Sequence, residues 1–229
     1  MCGRFTRHRS WRDIHDLYRL IAPAETGRND EARYNIAPTQ EVPFVTIGED
    51  GAHKLREGRW WLVPWWAKEM PKQAMFNARI ETVATSGAFK DAFKSKRCLI
   101  PADGFYEWTK AEDGGKDPWH IHLPDRAPFS FAGLWAHNDK LGVTSCTIIT
   151  MPAAAPITQL HDRQPVILDP EIYDAWLDPE TPPDDAKQLL HENLDGELEF
   201  YRVGREVNAT RVEGGRNDHA GMIGPINSL

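Results

Sequence analysis

The sequence predicts an α+β domain, with a mainly antiparallel sheet core and peripheral helices. Three observations carry that class. Seventeen Pro and seventeen Gly in 229 residues cut the chain into short segments, which suits turns and short strands rather than a helical bundle. Strand candidates follow one another between 97 and 150 with turn residues between them, Asp113-Gly114-Gly115 and Asn138-Asp139. No internal repeat, low-complexity linker or composition break divides the chain, so residues 1–229 read as one domain.

Ser10 and Asp13 form an N-cap signature with an acidic third residue. Ile14, Leu17, Tyr18 and Ile21 follow at helical spacing, and Pro23 closes that helix. Residues 24–33 read as a loop. The stretch 34–66 reads as β, with strands near 42–47 and 55–62, punctuated by Pro38, Pro43 and Pro64. Residues 84–93 predict a helix with Phe89 and Phe93 four apart on one face. Strands are expected at 97–100, 105–108, 119–123, 129–135 and 143–150. Asp169-Pro170 caps a helix to about 177, and a short helix follows Asp184. A strand near 200–203 precedes a Gly/Asn-rich tail.

No apolar run approaches the length of a membrane span, and the N-terminus lacks the apolar stretch of a secretory signal. Three cysteines (Cys2, Cys98, Cys146) cannot close a disulfide framework, so a cytoplasmic location is expected. The formal charge of −7 argues by itself against a nucleic-acid partner, but it is unevenly spread. Residues 54–110 carry eleven Lys/Arg against six Asp/Glu, whereas 165–200 carry one Lys against eleven Asp/Glu. A basic front half and an acidic rear make the local potential more informative than the sum.

Cys2 is the most informative residue. If Met1 is removed, its α-amine (reference pKa about 7.7–8.0) and its thiol (near 8.5) lie on adjacent carbons. Near neutral pH a usable fraction of each is then deprotonated. The amine condenses with an aldehyde to an imine, and the tethered thiol adds to close a thiazolidine. An incidental cysteine at a frayed terminus is the bland reading. Asn77 and Arg79 lie in a segment that reads either as a hydrogen-bonding and phosphate-holding element or as a loop-to-helix junction. Glu107, between Tyr106 and Trp108, faces solvent or serves as an acid/base in a partly apolar pocket. His161 is a proton shuttle or a surface-loop histidine. His120 and His122 share one strand face, half of a metal site that lacks a third placed ligand, and no metal or other cofactor is expected. Trp60, Trp61, Trp65 and Trp66 sit among basic residues, where exposed rings would stack bases and buried ones would pack a core. P-loop, dinucleotide, GxSxG and HExxH motifs are absent from the sequence.

Five segments, in order, resemble one family. They are Met1-Cys2-Gly3-Arg4-Phe5, Tyr34-Asn35-Ile36-Ala37-Pro38-Thr39-Gln40, Asn77-Ala78-Arg79-Ile80-Glu81-Thr82, Gly104-Phe105-Tyr106-Glu107-Trp108 and His161-Asp162-Arg163-Gln164-Pro165-Val166. Together they are similar to the SRAP family, the SOS-response-associated peptidase proteins that shield abasic sites in DNA. The resemblance implies a single β-rich SRAP domain. It implies that Cys2, after loss of Met1, forms a covalent thiazolidine crosslink with abasic sites in single-stranded DNA and so protects the lesion from strand cleavage. Self-removal of Met1 and a weak lyase activity through the imine belong to the same expectation. Asn77 would position the Cys2 terminus, Glu107 would transfer protons at the amine and in reversal, and His161 would assist sugar ring opening. Arg4, Asn35, Pro38, Trp65, Trp66, Arg79, Thr150 and Arg163 match positions lining the DNA channel. One departure is Gly87 after Thr85-Ser86, where the resemblance expects a basic residue; Lys90 is the nearest substitute. A monomer is expected.

Two other classes compete. An N-terminal-nucleophile hydrolase of glutamine-amidotransferase type also begins Met-Cys-Gly, but it gives Glu107, His161 and the basic front half no task. A non-catalytic single-strand binding module would make Cys2 incidental. The peptidase sense of the family name would cover at least removal of Met1.

Overall fold

Cys98, Leu99 and Ile100 are consecutive and fully buried, yet they serve two cores: Cys98 and Ile100 face one, Leu99 the other. Phe44 and Val45, Phe131 and Ala132, and Ile148 and Ile149 divide in the same way. Successive strand side chains point to opposite faces, so a sheet apolar on both faces is covered on both.

The structure, a computed structural model, describes residues 2–18 and 31–226. Its strands are β1 (Phe5–Arg7), β2 (Arg33–Ile36), β3 (Glu41–Ile47), β4 (His53–Trp60), β5 (Asn77–Arg79), β6 (Arg97–Ala102), β7 (Gly104–Lys110), β8 (Lys116–His122), β9 (Phe129–Asn138), β10 (Val143–Pro152), β11 (Arg163–Pro165), β12 (Ile167–Leu168), β13 (Glu199–Arg202), β14 (Arg211–Val212) and β15 (Gly215–Arg216). Its helices are α1 (Trp11–Tyr18), α2 (Lys90–Ser95), α3 (Tyr173–Leu177) and α4 (Pro183–Leu189). Five strands form one sheet in the order β13-β8-β7-β1-β2. A larger sheet runs β11-β10-β4-β3-β6-β9-β12, and because β10 also pairs with β9, the run from β10 to β9 closes into a ring.

One core lies between the two sheets, with Phe5, Phe105 and Ile121 meeting Phe131 and Ile148. Phe131 packs edge-on against Phe5, Phe105 and Phe129, with centroids 5.7, 6.1 and 5.2 Å away. Its truncation to Ala would cost about 3–5 kcal/mol. The second core seats Ile14, Tyr18, Phe93 and Trp176, from α1, α2 and α3, on the opposite face of the larger sheet. The α+β class and the mainly antiparallel sheet with outlying helices are as expected.

Ser10 and Asp13 cap α1 reciprocally, Asp13 N–H donating to Ser10 Oγ (3.3 Å) and Ser10 N–H to Asp13 Oδ2 (3.1 Å). Pro23 lies outside the described residues. Asp169 caps the next helical turn by accepting from Glu171 N–H at 2.9 Å. Pro43 sits inside β3, where β6 contacts that strand only at Val45↔Leu99, so its missing N–H breaks no ladder bond there.

Three expectations are corrected. The helix expected over 84–93 begins at Lys90, because the preceding residues form turns (Ser86 N–H to Thr82 O, 2.8 Å) around Gly87 and β-branched Val83 and Thr85. The loop-to-helix junction at Asn77 is strand β5, paired parallel to β10. The tail beyond 210 contains the β14–β15 hairpin. Among the described residues, no helix is long and apolar enough to cross a membrane.

Candidate active site and nucleic-acid face

Four distant segments converge on Cys2. β1 pairs antiparallel with β7 at Phe5↔Phe105 and Thr6↔Gly104, and Tyr106 N–H donates to Arg4 O at 3.0 Å. Continued one step, that register sets Gly3 beside Glu107. Cys2 itself is fully buried in the core between the sheets. From the other side, Asn77 Nδ2 donates to the Cys2 carbonyl at 2.9 Å. β5 is fixed there by parallel pairing of Asn77 with Ile148 and by fully buried Trp60, whose Nε1 donates to Phe76 O at 2.9 Å. Asn77 Oδ1 is buried with no hydrogen-bond partner among the described residues.

Glu107 is 2% exposed, so of its two readings the pocket carboxylate is the one realised. Burial raises its carboxyl pKa. Burial also pushes the Cys2 thiol up, and the Glu107 carboxylate adds to that. Both effects work against a thiolate at Cys2. His161 follows a 3₁₀ turn, Ile157–Gln159, and its side chain is 29% exposed. Its Nδ1 lies 2.9 Å from Arg163 N–H and 2.8 Å from the Asp162 carboxylate. One contact needs a bare nitrogen and the other a protonated one. The backbone N–H is a fixed donor while the Asp162 side chain is 86% exposed and free to turn to water, so Nδ1 accepts and neutral His161 carries its proton on Nε2.

Asp103 went unnoticed in the sequence. Fully buried at the β6–β7 junction, it accepts from Thr6 Oγ1 (2.6 Å), His8 N–H (2.5 Å) and Arg9 N–H (2.9 Å). Three donors from the N-terminal segment meet one carboxylate, which locks the register that sets Gly3 beside Glu107. The adjoining Gly104 is required by close approach, since a Cβ there would lie 2.2 Å from His120 Nε2. The acidic residue ahead of the Gly-Phe-Tyr-Glu-Trp segment is the signal that would have found it.

The residues expected to line a DNA channel divide into two groups. Trp65 and Trp66 are 63% and 51% exposed, on a turn tied by Asn138 Nδ2 to Pro64 O and Ala67 O (2.8 and 3.0 Å). Arg79 is exposed at the end of β5, and Lys90 is exposed at the start of α2. By contrast, Arg4 is half-buried and spends Nη1 on Asn35 Oδ1 and Val207 O, both at 2.6 Å. Asn35 is 1% exposed and gives Nδ2 to Ala209 O and Asn217 O (3.0 and 2.8 Å). Thr150 is buried on β10 and receives Arg163 Nη2 at its carbonyl (2.7 Å). Arg163 also grips the Glu81 carboxylate with both terminal nitrogens, which lowers the Glu81 pKa. Pro38 is the second residue of a type II turn closed by Gln40 N–H to Ala37 O (3.2 Å), with Thr39 at φ +75°. A β-branched residue there carries strain of order 1–3 kcal/mol.

His120 and His122 share a face as their alternation predicts, with ring centroids 5.5 Å apart. No group of three or more His, Cys, Asp or Glu suited to a metal occurs among the described residues.

Comparison with known proteins places the chain in a family. The abasic site processing protein YoaM of Bacillus subtilis is 38% identical over 216 residues, 92% of this chain and 94% of that protein. The abasic site processing protein YedK of Escherichia coli is 28% identical over 232 residues, 99% and 100% of the two chains. The crystal structure of a phage-related protein of Bordetella bronchiseptica superposes with a TM-score of 0.72 at 30% identity, covering 88% of this chain and 94% of that one. The family described as SOS response associated peptidase (SRAP) matches residues 1–210, and the chain belongs to that family.

Proposed function

We propose that this protein processes abasic sites in single-stranded DNA: Cys2, as first residue of the mature chain, traps the ring-opened aldehyde as a thiazolidine and so shields the lesion. The single observation that carries this reading is a Cys2 removed from water, held by Asn77 and set near Glu107, which His161 neighbours in turn. Met1 lies outside the described residues, and its removal is part of the proposal.

The neutral amine of Cys2 attacks the aldehyde carbon, forming a C–N bond and a carbinolamine. Loss of water, with its proton supplied by protonated Glu107, leaves the imine. The Cys2 sulfur then bonds to the imine carbon, the C=N bond becomes single, and the thiol proton passes to the nitrogen. Amine, thiol and aldehyde give thiazolidine and water, with no change of oxidation state. A thiol held as S–H suits this order, because the amine acts first and sulfur and proton are delivered together. A carboxyl raised by burial suits Glu107 to give and take protons near neutral pH. Asn77 Oδ1, buried and without a described partner, supports a site that accepts from the freed α-amine. His161 Nε2–H assists opening of the sugar ring. Trp65, Trp66 and Arg79 supply the exposed stacking and phosphate-binding face. Consuming the aldehyde removes the group that drives strand-breaking β-elimination. The amidotransferase-type alternative leaves Glu107 and His161 at Cys2 without a task.

Intact-mass spectrometry before and after mixing with an abasic oligonucleotide tests the proposal. Loss of Met1, followed by gain of the oligonucleotide mass less one water, is expected. Cys2→Ala abolishes the denaturation-resistant adduct and Cys2→Ser leaves only a labile imine. Adduct at wild-type yield in Cys2→Ala overturns the assignment.

A further inference from the structure

The family match ends at residue 210, and the chain turns next into a hairpin that nothing in the site above employs. Arg211 pairs with Arg216 and Val212 with Gly215, across a two-residue turn in which Gly214 holds φ +94°. The two arginines therefore leave the ribbon from directly opposed positions, where like charges destabilise a strand pair. Both are exposed, as is Glu213 in the turn, and no hydrogen bond or ion pair joins either guanidinium to a described residue. With Gln40, Thr210, Val212 and Gly215 they line a cavity of about 460 Å³.

The base of the hairpin is rigid. Asn217 N–H donates to Thr210 O (3.1 Å), and Asp218 holds Arg33 Nε (2.6 Å) and Tyr34 N–H (2.5 Å). Asn35 binds Ala209 O and Asn217 O through Nδ2, while its Oδ1 takes Arg4 Nη1. One side chain thus separates the hairpin base from Arg4, two residues from Cys2. Gln40, on the cavity wall, ends the Pro38 turn.

We propose that this hairpin is a phosphate site for the DNA strand whose lesion reaches Cys2, one phosphodiester lying between Arg211 and Arg216. The inference rests on the function proposed above and adds a contact distant from the chemistry. A phosphate between the guanidiniums replaces their repulsion by two charge-assisted interactions, and the planar forks match its oxygens. An open cavity at the ribbon edge admits a backbone without displacing packed side chains.

The test is equilibrium binding of lesion-free single-stranded oligothymidylate across a salt series, beside the yield of covalent adduct with an abasic oligonucleotide. Arg211→Ala/Arg216→Ala is expected to lose about tenfold or more in affinity at low salt and to flatten the log–log salt slope by about 0.7, one phosphate on a single strand. Its melting temperature stays at the wild-type value, since both side chains are exposed. Arg211→Lys/Arg216→Lys is expected to keep the slope. Unchanged affinity and slope in the alanine variant overturn the inference, as does an equal loss in the lysine variant. Wild-type protein that binds intact strands with this slope but forms no adduct would leave the phosphate site standing and remove the crosslinking chemistry. Adduct formation with a hairpin-independent slope would do the reverse.

Discussion

The side-chain amide of Asn77 donates 2.9 Å to the main-chain carbonyl of Cys2, joining β5 to the N-terminal segment across the floor of the site. A hydrogen bond to the main chain fixes where the residue stands and leaves its amine and thiol to react. Asn77→Ala is expected to cost about 1 kcal/mol of stability and to slow adduct formation well beyond that. Asn77→Asp should recover neither, because a carboxylate cannot donate to the carbonyl. Paired melting curves and adduct time courses check both.

Glu107 carries a cost for its function. Its folded pKa is raised, so between the ordinary carboxylate value and the raised one the native state holds more protons than the unfolded chain. Stability therefore falls as pH rises through that window. Glu107→Gln is expected to melt higher than wild type near pH 7 and to converge with it below about pH 4. The same variant is expected to form and reverse the adduct about a hundredfold more slowly. Unchanged rates in both directions would take Glu107 out of the site.

His120 works in the opposite sense. Burial first, and then the neighbouring His122, lower its pKa to about 3. From its ordinary value of 6.5 down to about 3, the unfolded chain takes up a proton that the native state refuses. Stability is thus complete above that window and is lost as pH falls through it, by up to about 1.4 kcal/mol per pH unit. His120→Asn should show a flatter fall in urea midpoint between about pH 6 and pH 4 than wild type.

Asp103 should behave as a register clamp. Asp103→Ala strands the His8 and Arg9 N–H groups and the Thr6 hydroxyl at about 1–3 kcal/mol for each donor left buried. A slip of one residue would move Cys2 about 3.3 Å along β7 and turn its side chain to the other face of the sheet. Asp103→Asn keeps the shape and part of the bonding. It is expected to stay folded while the Cys2-dependent rate drops, and an unchanged rate would exclude the clamp.

Trp65 and Trp66 are too exposed to hold the fold. Trp65→Ala/Trp66→Ala is expected to leave the melting temperature within a degree or two and to weaken single-strand binding by about 1–3 kcal/mol per base unstacked. Fluorescence anisotropy with an intact oligonucleotide measures the loss.

The Asp113-Gly114-Gly115 turn, the Ser10–Asp13 cap and the strands from 97 to 150 were legible in the sequence, because turn chemistry, capping and β alternation act over a few neighbours. Five ordered motifs also identified the family before any geometry. The β5 strand was not legible, since Asn77-Ala78-Arg79 is too short to show a period and owes its form to β10. The same holds for the Arg211–Arg216 ribbon.

Tertiary structure decided what each named residue is able to do. Burial pushes the Cys2 thiol up and places Glu107 in a pocket rather than in water. Packing determined that Asn35 and Thr150 are enclosed while Trp65 and Trp66 stand out. Residue identity supplies the reactive groups, but proton affinity and access depend on dielectric and neighbours, and those exist only once distant segments are packed together.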